Sequence, residues 1–165
     1  MKKKSKNLLT PTTATRKLQI FIAICSVIFT IGSVLQNFVI VDISLIEEMM
    51  KMAGAPDPTG EAPGFTYGFR IVGCIYILGN ALGILAIKSR SEALWWAVFV
   101  INITQALGFY MIPSSMWAAA MDAYGFWGVL PSAITDGGAI ILSFVMIISM
   151  VKYKTTWAQS FTLQQ

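Results

Sequence analysis

The sequence predicts an all-α integral membrane protein, a four-helix transmembrane bundle with an amphipathic segment on its outer side. The 165 residues are 56% apolar and only 12% charged, with a mean hydropathy of +0.67, whereas soluble domains are about 25% charged. Four apolar runs are each long enough to cross a hydrocarbon layer of about 30 Å. Because the connections between them are too short to build a second core, the chain forms one domain.

The four predicted spans are flanked by two polar tails. Residues 1–17 are predicted to be a disordered basic tail, because the segment is polar and contains Pro11. Residues 152–165 form the C-terminal tail. A cleaved signal peptide is the competing interpretation of the N-terminal end, but the first apolar run is too long for one and no small-residue cleavage site follows it. The predicted spans cover residues 18–41, 70–87, 93–112 and 129–151.

The distribution of Lys and Arg predicts that both tails are cytoplasmic and that the protein crosses the cell membrane, since basic residues near span ends are retained inside. Two basic residues lie between the second and third spans and two follow the fourth. The opposite connections contain only Lys51, apart from Arg70 at a helix boundary. A nucleic-acid partner is not expected, because a basic tail is not a folded reading surface. Six of the twelve basic residues lie in the N-terminal tail: Lys2, Lys3, Lys4, Lys6, Arg16 and Lys17.

The connection after the first span begins as a predicted amphipathic helix. Its apolar residues recur at helical spacing, while Glu47, Glu48 and Lys51 fall elsewhere. Such a helix is typical of a segment that lies on the outer membrane surface. Residues 54–64, GAPDPTGEAPG, have the composition of a loop, and the Ala- and aromatic-rich residues 114–128 are expected at the outer interface. The apolar positions of the helix are Ile43, Ile46, Met49, Met50 and Ala53.

Polar side chains inside the spans are the candidate functional residues, because each of them needs a partner in hydrocarbon. In the second, third and fourth spans they fall on one stripe of the helix, at about 100° per residue. The stripes are predicted to converge on a polar cavity open to the outer side, with Asp136 as its acid and Arg70 as the countercharge at its mouth. The candidate cavity residues are Gln36, Arg70, Asn80, Asn102, Gln105 and Asp136.

Each candidate also has a purely structural interpretation. Asn80, Asn102 and Gln105 could bond one another and fix helix packing, at about 0.6 to 2 kcal/mol each. Arg70 could be an anchor whose head group lies at the membrane interface. Asp136 precedes two glycines and could be the N-cap of a shorter final helix instead of an embedded acid.

No catalytic, cofactor or metal site is predicted. The chain has no histidine, which removes His-ligated haem, the usual catalytic zinc sites and Ser-His or Cys-His catalysis. The methionines at 49, 50 and 52 resemble a soft-metal cluster, but an apolar helix face explains them better. Gly79 and Gly83 are spaced so that a neighbouring helix can approach closely, and packing within the bundle is favoured over packing in a dimer.

The layout of the spans and the string RIVGCIYILGNALG at residues 70–83 resemble the broad DoxX-like group of small bacterial membrane proteins. The resemblance covers residues 18–151 in layout but only this string in residue identity. It implies a four-helix bundle, in some cases a membrane subunit of quinone-linked or thiol-redox pathways. Because this chain has no histidine and no cysteine pair, no residue takes a redox role from the group.

Three functional classes follow from these observations. The first is a non-enzymatic binding or accessory protein that contacts a lipid, a small molecule, a membrane partner protein or a second copy of the chain through its outer half. The second is a small transporter or channel that uses Asp136 as its ion or proton group. The third is a membrane subunit of a redox pathway, which only the resemblance implies. An enzyme is disfavoured, because no nucleophile, base or metal set can be assembled.

Reporter fusions test the predicted orientation. A reporter fused after Gln165 is expected to be active only in the cytoplasm, and one inserted near Gly60 only outside, because the basic residues are retained inside. Fusions to alkaline phosphatase, which is active outside, and to green fluorescent protein, which fluoresces inside, make the measurement. The reverse pattern at either site would contradict the orientation.

Overall fold

The computed structural model describes residues 7–163, which fold into six α-helices and one pair of short β-strands. Four helices, α1, α3, α4 and α6, are long and apolar enough to cross a membrane. The prediction of a helical fold with four helices of spanning length is therefore confirmed. The elements are β1 (Asn7–Thr10), α1 (Thr13–Leu35), α2 (Ile43–Met52), α3 (Pro58–Leu82), α4 (Glu92–Met111), α5 (Ser114–Tyr124), α6 (Phe126–Tyr153) and β2 (Ser160–Leu163).

The four long helices form a ring in the order α1, α3, α4, α6. Helix α1 packs against α3 and α6, and α4 packs against α6 and, less extensively, against α3. Two of these helices end in a different helical geometry. Helix α1 continues into a π-helical turn over Gln36–Ile40, in which the Val41 N–H donates to the Gln36 carbonyl at 3.0 Å. Helix α3 continues as a 3₁₀-helix over Gly83–Ile87.

Helices α2 and α5 and the first turns of α3 form a cap at one end of the ring. In this cap Ile46 and Met49 of α2 are buried in one cluster with Ala62 of α3 and Ala119 of α5. Most of the apolar face of α2 thus packs on protein and is not free to enter lipid, and the position of α2 at the outer membrane surface stays a prediction. Periodicity identifies an apolar face, but it does not say whether lipid or another helix covers that face.

The opposite face of α2 is charged. Lys51 Nζ lies 2.9 Å from Glu47 Oε1, and the Thr59 hydroxyl donates to the same carboxylate at 3.0 Å. The hydrogen bonds from Lys51 and Thr59 lower the pKa of Glu47, and Glu47 in turn raises the pKa of Lys51. The Thr59 bond joins α2 to the start of α3. The ion pair lies within α2, and because Lys51 is exposed and Glu47 is only half-buried, it contributes little to stability.

Helix α3 begins well before the predicted second span. The Asp57 side chain accepts a hydrogen bond from the Gly60 N–H at 3.0 Å, and Pro58 occupies the first helical position, where its missing N–H would have had no partner. The prediction of a loop over 54–64 is therefore wrong from Pro58 onward. An Asp-Pro pair is typical of loops and also of helix starts, and here Asp57 and Pro58 begin a helix.

The two ends of the described chain pair with each other. Strands β1 and β2 are antiparallel, with Thr10 opposite Ser160. Thr12 and Thr15 form a capping box at the start of α1, and both hydroxyls donate to the Ala158 carbonyl, at 2.7 and 2.9 Å. These bonds fix the start of α1 at Thr13, ahead of the predicted residue 18.

Trp157 fastens the C-terminal segment to the bundle. It is fully buried, and its indole N–H donates to the Ser91 carbonyl at 2.9 Å. The described part of the N-terminal tail forms β1 and the start of α1, so the prediction of disorder over residues 1–17 is wrong there. The described part of the predicted C-terminal tail, from residue 152 on, contains the end of α6 and β2. The first six and last two residues lie outside the described part of the chain.

The half of the ring next to the strands is packed with apolar side chains. Gly83 lies against Ser26 of α1, and Gly79 lies against Ile101 of α4, so that a Cβ at either glycine would collide. Both glycines thus face helices inside the bundle, as their spacing indicated. The fully buried core residues here include Ile22, Trp95, Leu142 and Met146.

Candidate functional site

A cavity of about 250 Å³ lies between the four long helices, in the half of the ring next to the cap. Polar side chains on α1, α4 and α6 line it. This position agrees with the predicted clustering of polar groups toward one end of the bundle. The polar lining includes Ser33, Gln36, Asn37, Thr104, Gln105, Ser132, Thr135 and Asp136.

A line of hydrogen bonds runs from α3 across α4 to α6. Asn80 Nδ2 donates to Gln105 Oε1 at 2.9 Å, and Gln105 Nε2 donates to Asp136 Oδ1 at 3.3 Å. The Thr135 hydroxyl donates to the same Oδ1 at 3.1 Å. This order fixes the Gln105 amide, because turning it over would place donor against donor and acceptor against acceptor. Sequence reasoning grouped these three candidates, and the structure brings them into contact.

Asp136 lies inside α6, which runs without a break from Phe126 to Tyr153. The N-cap interpretation of Asp136 is therefore wrong. The turn into α6 is made at Gly125, whose φ of +59° suits a residue without a Cβ. The Asp136 side chain is 7% exposed. An ionised carboxylate at the centre of a bilayer costs about 2.5 to 3.5 kcal/mol on insertion scales. Hydrogen-bond donors or a cation beside Asp136 would therefore be needed to stabilise its charge.

Arg70 does not supply the countercharge predicted for it. Its side chain is exposed and is absent from the cavity lining. Only its backbone carbonyl takes part, accepting from Asn37 Nδ2 at 3.2 Å. An arginine with a long flexible stem reaches outward as readily as inward, and the structure fits the interpretation of Arg70 as an interfacial anchor.

Asn102 is buried but does not line the cavity. Its Nδ2 donates to the Val98 carbonyl at 2.8 Å, one turn earlier in the same helix. This bond satisfies the amide nitrogen within the same helix, whereas the buried Asn102 Oδ1 has no hydrogen-bond partner among the described residues. The stripe that carries Asn102 faces inward, as predicted. The prediction that Asn102 forms part of the cavity wall is wrong.

Asn37 is one of several polar cavity residues, with Ser33, Thr104, Ser132 and Thr135, that were not among the sequence candidates. It is 1% exposed and lies beside Gln36 in the π-helical turn. A regular helix turns two successive residues about 100° apart, whereas the extra residue of a π-turn rotates the helix and brings both toward the interior. The sequence signal was the pair Gln36-Asn37 itself. The oxygens Gln36 Oε1 and Asn37 Oδ1 are buried without a hydrogen-bond partner among the described residues.

The cavity opens through the flank of the bundle, between α3 and α4. Its lining residues on α1 and α6 are buried, apart from half-buried Gln36, whereas α3 and α4 contribute the exposed residues Val72, Thr104 and Met111. Of the neighbouring long helices, α3 and α4 also have the least extensive contact. Phe69, another lining residue, packs against the cap cluster. The exposed part of the lining thus lies on the α3 and α4 side of the bundle, whereas the prediction placed the opening at the outer side of the membrane.

Comparisons of the chain with known protein families, with curated proteins and with solved structures found no match. The resemblance to the DoxX-like group therefore stays a prediction.

A double-mutant cycle on Asn80 and Gln105 tests the hydrogen-bond line. Between Asn80→Leu and Gln105→Leu we expect a coupling of about 0.6 kcal/mol, and at most about 1.7, in the free energy of unfolding, because bonds between membrane helices fall in that range. Unfolding is followed in mixed micelles titrated with dodecyl sulfate.

Gln19 provides the control for this cycle. Its amide donates to the Ala86 carbonyl at 2.6 Å, at the strand end of the bundle. Since distant sites act independently, the effects of Gln19→Leu and Gln105→Leu should add. Additive effects for Asn80→Leu and Gln105→Leu as well would show that their contact contributes nothing.

Proposed function

We propose that this chain is a multi-pass protein of the cell membrane, with both termini cytoplasmic, that binds a small amphipathic molecule entering sideways from the bilayer. The observation that carries the proposal is the flank opening between α3 and α4 beside buried, hydrogen-bonded Asp136. A site of this kind offers an apolar entrance and a polar end, which is the division found in an amphipathic molecule.

The outward faces of the long helices support placement in a membrane. Large apolar side chains on all four helices are more than half exposed, among them Ile31, Ile75, Leu107 and Ile148. Soluble monomers rarely expose contiguous apolar patches of more than a few hundred Å². In a bilayer such a belt is the surface that contacts lipid, so the lipid bilayer is the partner that the four helices fit.

The position of the opening then determines the route of entry. With α3 and α4 against lipid, a molecule can pass from the acyl-chain region into the cavity without crossing the head groups. A volume of about 250 Å³ lies just below the usual range for small-molecule sites, about 300 to 1,000 Å³. The cavity therefore accommodates a polar head and a short length of apolar chain, while the remainder extends between α3 and α4.

Packing in the other half of the bundle favours binding over conduction. Beyond the hydrogen-bond line the ring is filled by Trp95, Leu142 and Met146, none of which is exposed. Moving an ion through these side chains would require the tightly packed half to separate. The interpretation of Asp136 as the ion or proton group of a transporter would need a path through the bundle, and these packed side chains do not offer one. The interpretation as a redox subunit is supported only by the resemblance.

Gly108 offers a way to fill the cavity. It lines the space, and a Cβ built on it meets no atom within 4 Å. We expect Gly108→Phe to fold and to reduce labelling by photoreactive dodecanol and dodecylamine at least about tenfold, since a loss of about 1.4 kcal/mol in binding suffices for this. Labelling is quantified by mass spectrometry on protein in nanodiscs, and the labelled peptides are expected to come from α3 and α4.

Gly137→Phe is the matched control. Gly137 also has open space around an added Cβ, and it adjoins Asp136 in α6 without lining the cavity. Its labelling should equal that of the unmodified protein. Equal labelling of the Gly108→Phe variant, or labels that map away from α3 and α4, would refute binding in this cavity.

A further inference from the structure

We propose that the cavity selects a lipophilic primary amine, whose ammonium group is held at Asp136. This inference rests on the proposed function and names the chemical class of its ligand. It follows from two separate properties of the lining, its charge and its unused hydrogen-bonding atoms.

The charge of the lining is one-sided. Asp136 is the acid among the cavity residues, and neither Lys nor Arg lines the space in the described chain. Within residues 7–163 the ion pairs that form involve Lys51 in the cap, and none reaches Asp136. A buried carboxylate is favourable only when it is paired and hydrogen-bonded. The protein supplies hydrogen bonds to it but no cation, so a ligand cation would complete the site.

Some hydrogen-bond acceptors of the lining have no donor among the described residues. Both side-chain donors to Asp136 reach Oδ1, and Oδ2 receives none from the described residues. Asn37, which is 1% exposed, donates its Nδ2 to the Arg70 carbonyl, and its Oδ1 has no donor within residues 7–163. A buried acceptor that lacks a donor is unfavourable. The lining thus contains acceptors without a donor, among them Asp136 Oδ2 and Asn37 Oδ1, alongside donor groups such as the Tyr76 hydroxyl.

A primary ammonium group fits both properties, since it carries a positive charge and three donors and has no acceptor. A hydroxyl group donates only one hydrogen bond and has no charge. A quaternary ammonium group has the charge without a donor, and a carboxylate has the wrong charge. These four head groups on one alkyl chain thus separate the contribution of charge from that of hydrogen bonding.

The test compares dodecylamine, dodecanol, dodecyltrimethylammonium and dodecanoate as competitors of photoreactive dodecylamine, with the unmodified protein in phosphatidylcholine nanodiscs. Dodecylamine is expected to bind about tenfold more tightly than each of the others, a ratio that one charge-assisted hydrogen bond can supply. In Asp136→Asn the affinity for dodecylamine should fall to about that for dodecanol, whereas the affinity for dodecanol, which has no charge that would lose its partner, should fall much less. If Asp136→Asn fails to fold, the head-group series on the unmodified protein decides alone.

The outcomes separate this inference from the proposed function. Dodecanol or dodecanoate binding as tightly as dodecylamine, with all binding lost in Gly108→Phe, overturns the amine assignment and leaves binding in the cavity standing. The amine assignment is also overturned if dodecyltrimethylammonium binds as tightly as dodecylamine, because donors would then not matter. If no compound binds in a manner sensitive to Gly108→Phe, both proposals are wrong.

Two sources could supply the same ammonium chemistry, a free lipophilic amine or the head group of an aminophospholipid. The phosphate of an aminophospholipid would need a cationic partner that the lining residues do not include, which favours the free amine. Nanodiscs containing phosphatidylethanolamine distinguish the two once dodecylamine binding is established. Competition by this lipid assigns the site to a head group, and unchanged dodecylamine affinity assigns it to a free amine.

Discussion

The requirement that buried polar side chains find partners organises this bundle. Asn80, Gln105 and Asp136 lie on three different apolar helices, and each is at most 7% exposed. In hydrocarbon their unmet hydrogen bonds would be costly, so α3, α4 and α6 must align until the three side chains meet. Gly79 allows the close approach of α3 to α4 on which this alignment depends, and Gly83 allows α1 to lie against the end of the same helix.

The two halves of the ring consequently differ in character. Next to the strands, apolar packing, the Trp157 anchor and the threonine hydroxyl bonds to Ala158 hold the helices together. Next to the cap, polar side chains and the π-helical turn leave a space that apolar packing does not fill. A firmly packed base with an adaptable polar end suits a binding protein, because the base keeps the helices in place while the cavity accommodates its ligand.

The sequence predicted the features that depend on long apolar runs and on helical periodicity. These features include the four long helices and the inward orientation of Asn80 and Gln105. They also include the embedded position of Asp136, which was one of its two interpretations. The start of α3 at Pro58 was missed because the same residues serve loops and helix caps. Asn37 was missed because a π-turn changes the periodicity on which the assignment relied. Two features depend on tertiary neighbours, which a single sequence does not specify: the helices that pack on the apolar face of α2, and the exposed position of the Arg70 side chain.

If the opening between α3 and α4 faces lipid, spin labels on its rim should lie in the acyl-chain region of a bilayer, and their accessibility to relaxing agents measures this. Labels are attached to cysteines at positions 72 and 111, on the cavity rim, and at position 48, on the exposed face of α2, after Cys25 and Cys74 are replaced by alanine. In a bilayer, lipid-soluble oxygen should relax the rim labels strongly and a water-soluble nickel chelate only weakly, with the reverse at position 48. Rim labels relaxed mainly by the nickel chelate would contradict a cavity that opens to the bilayer.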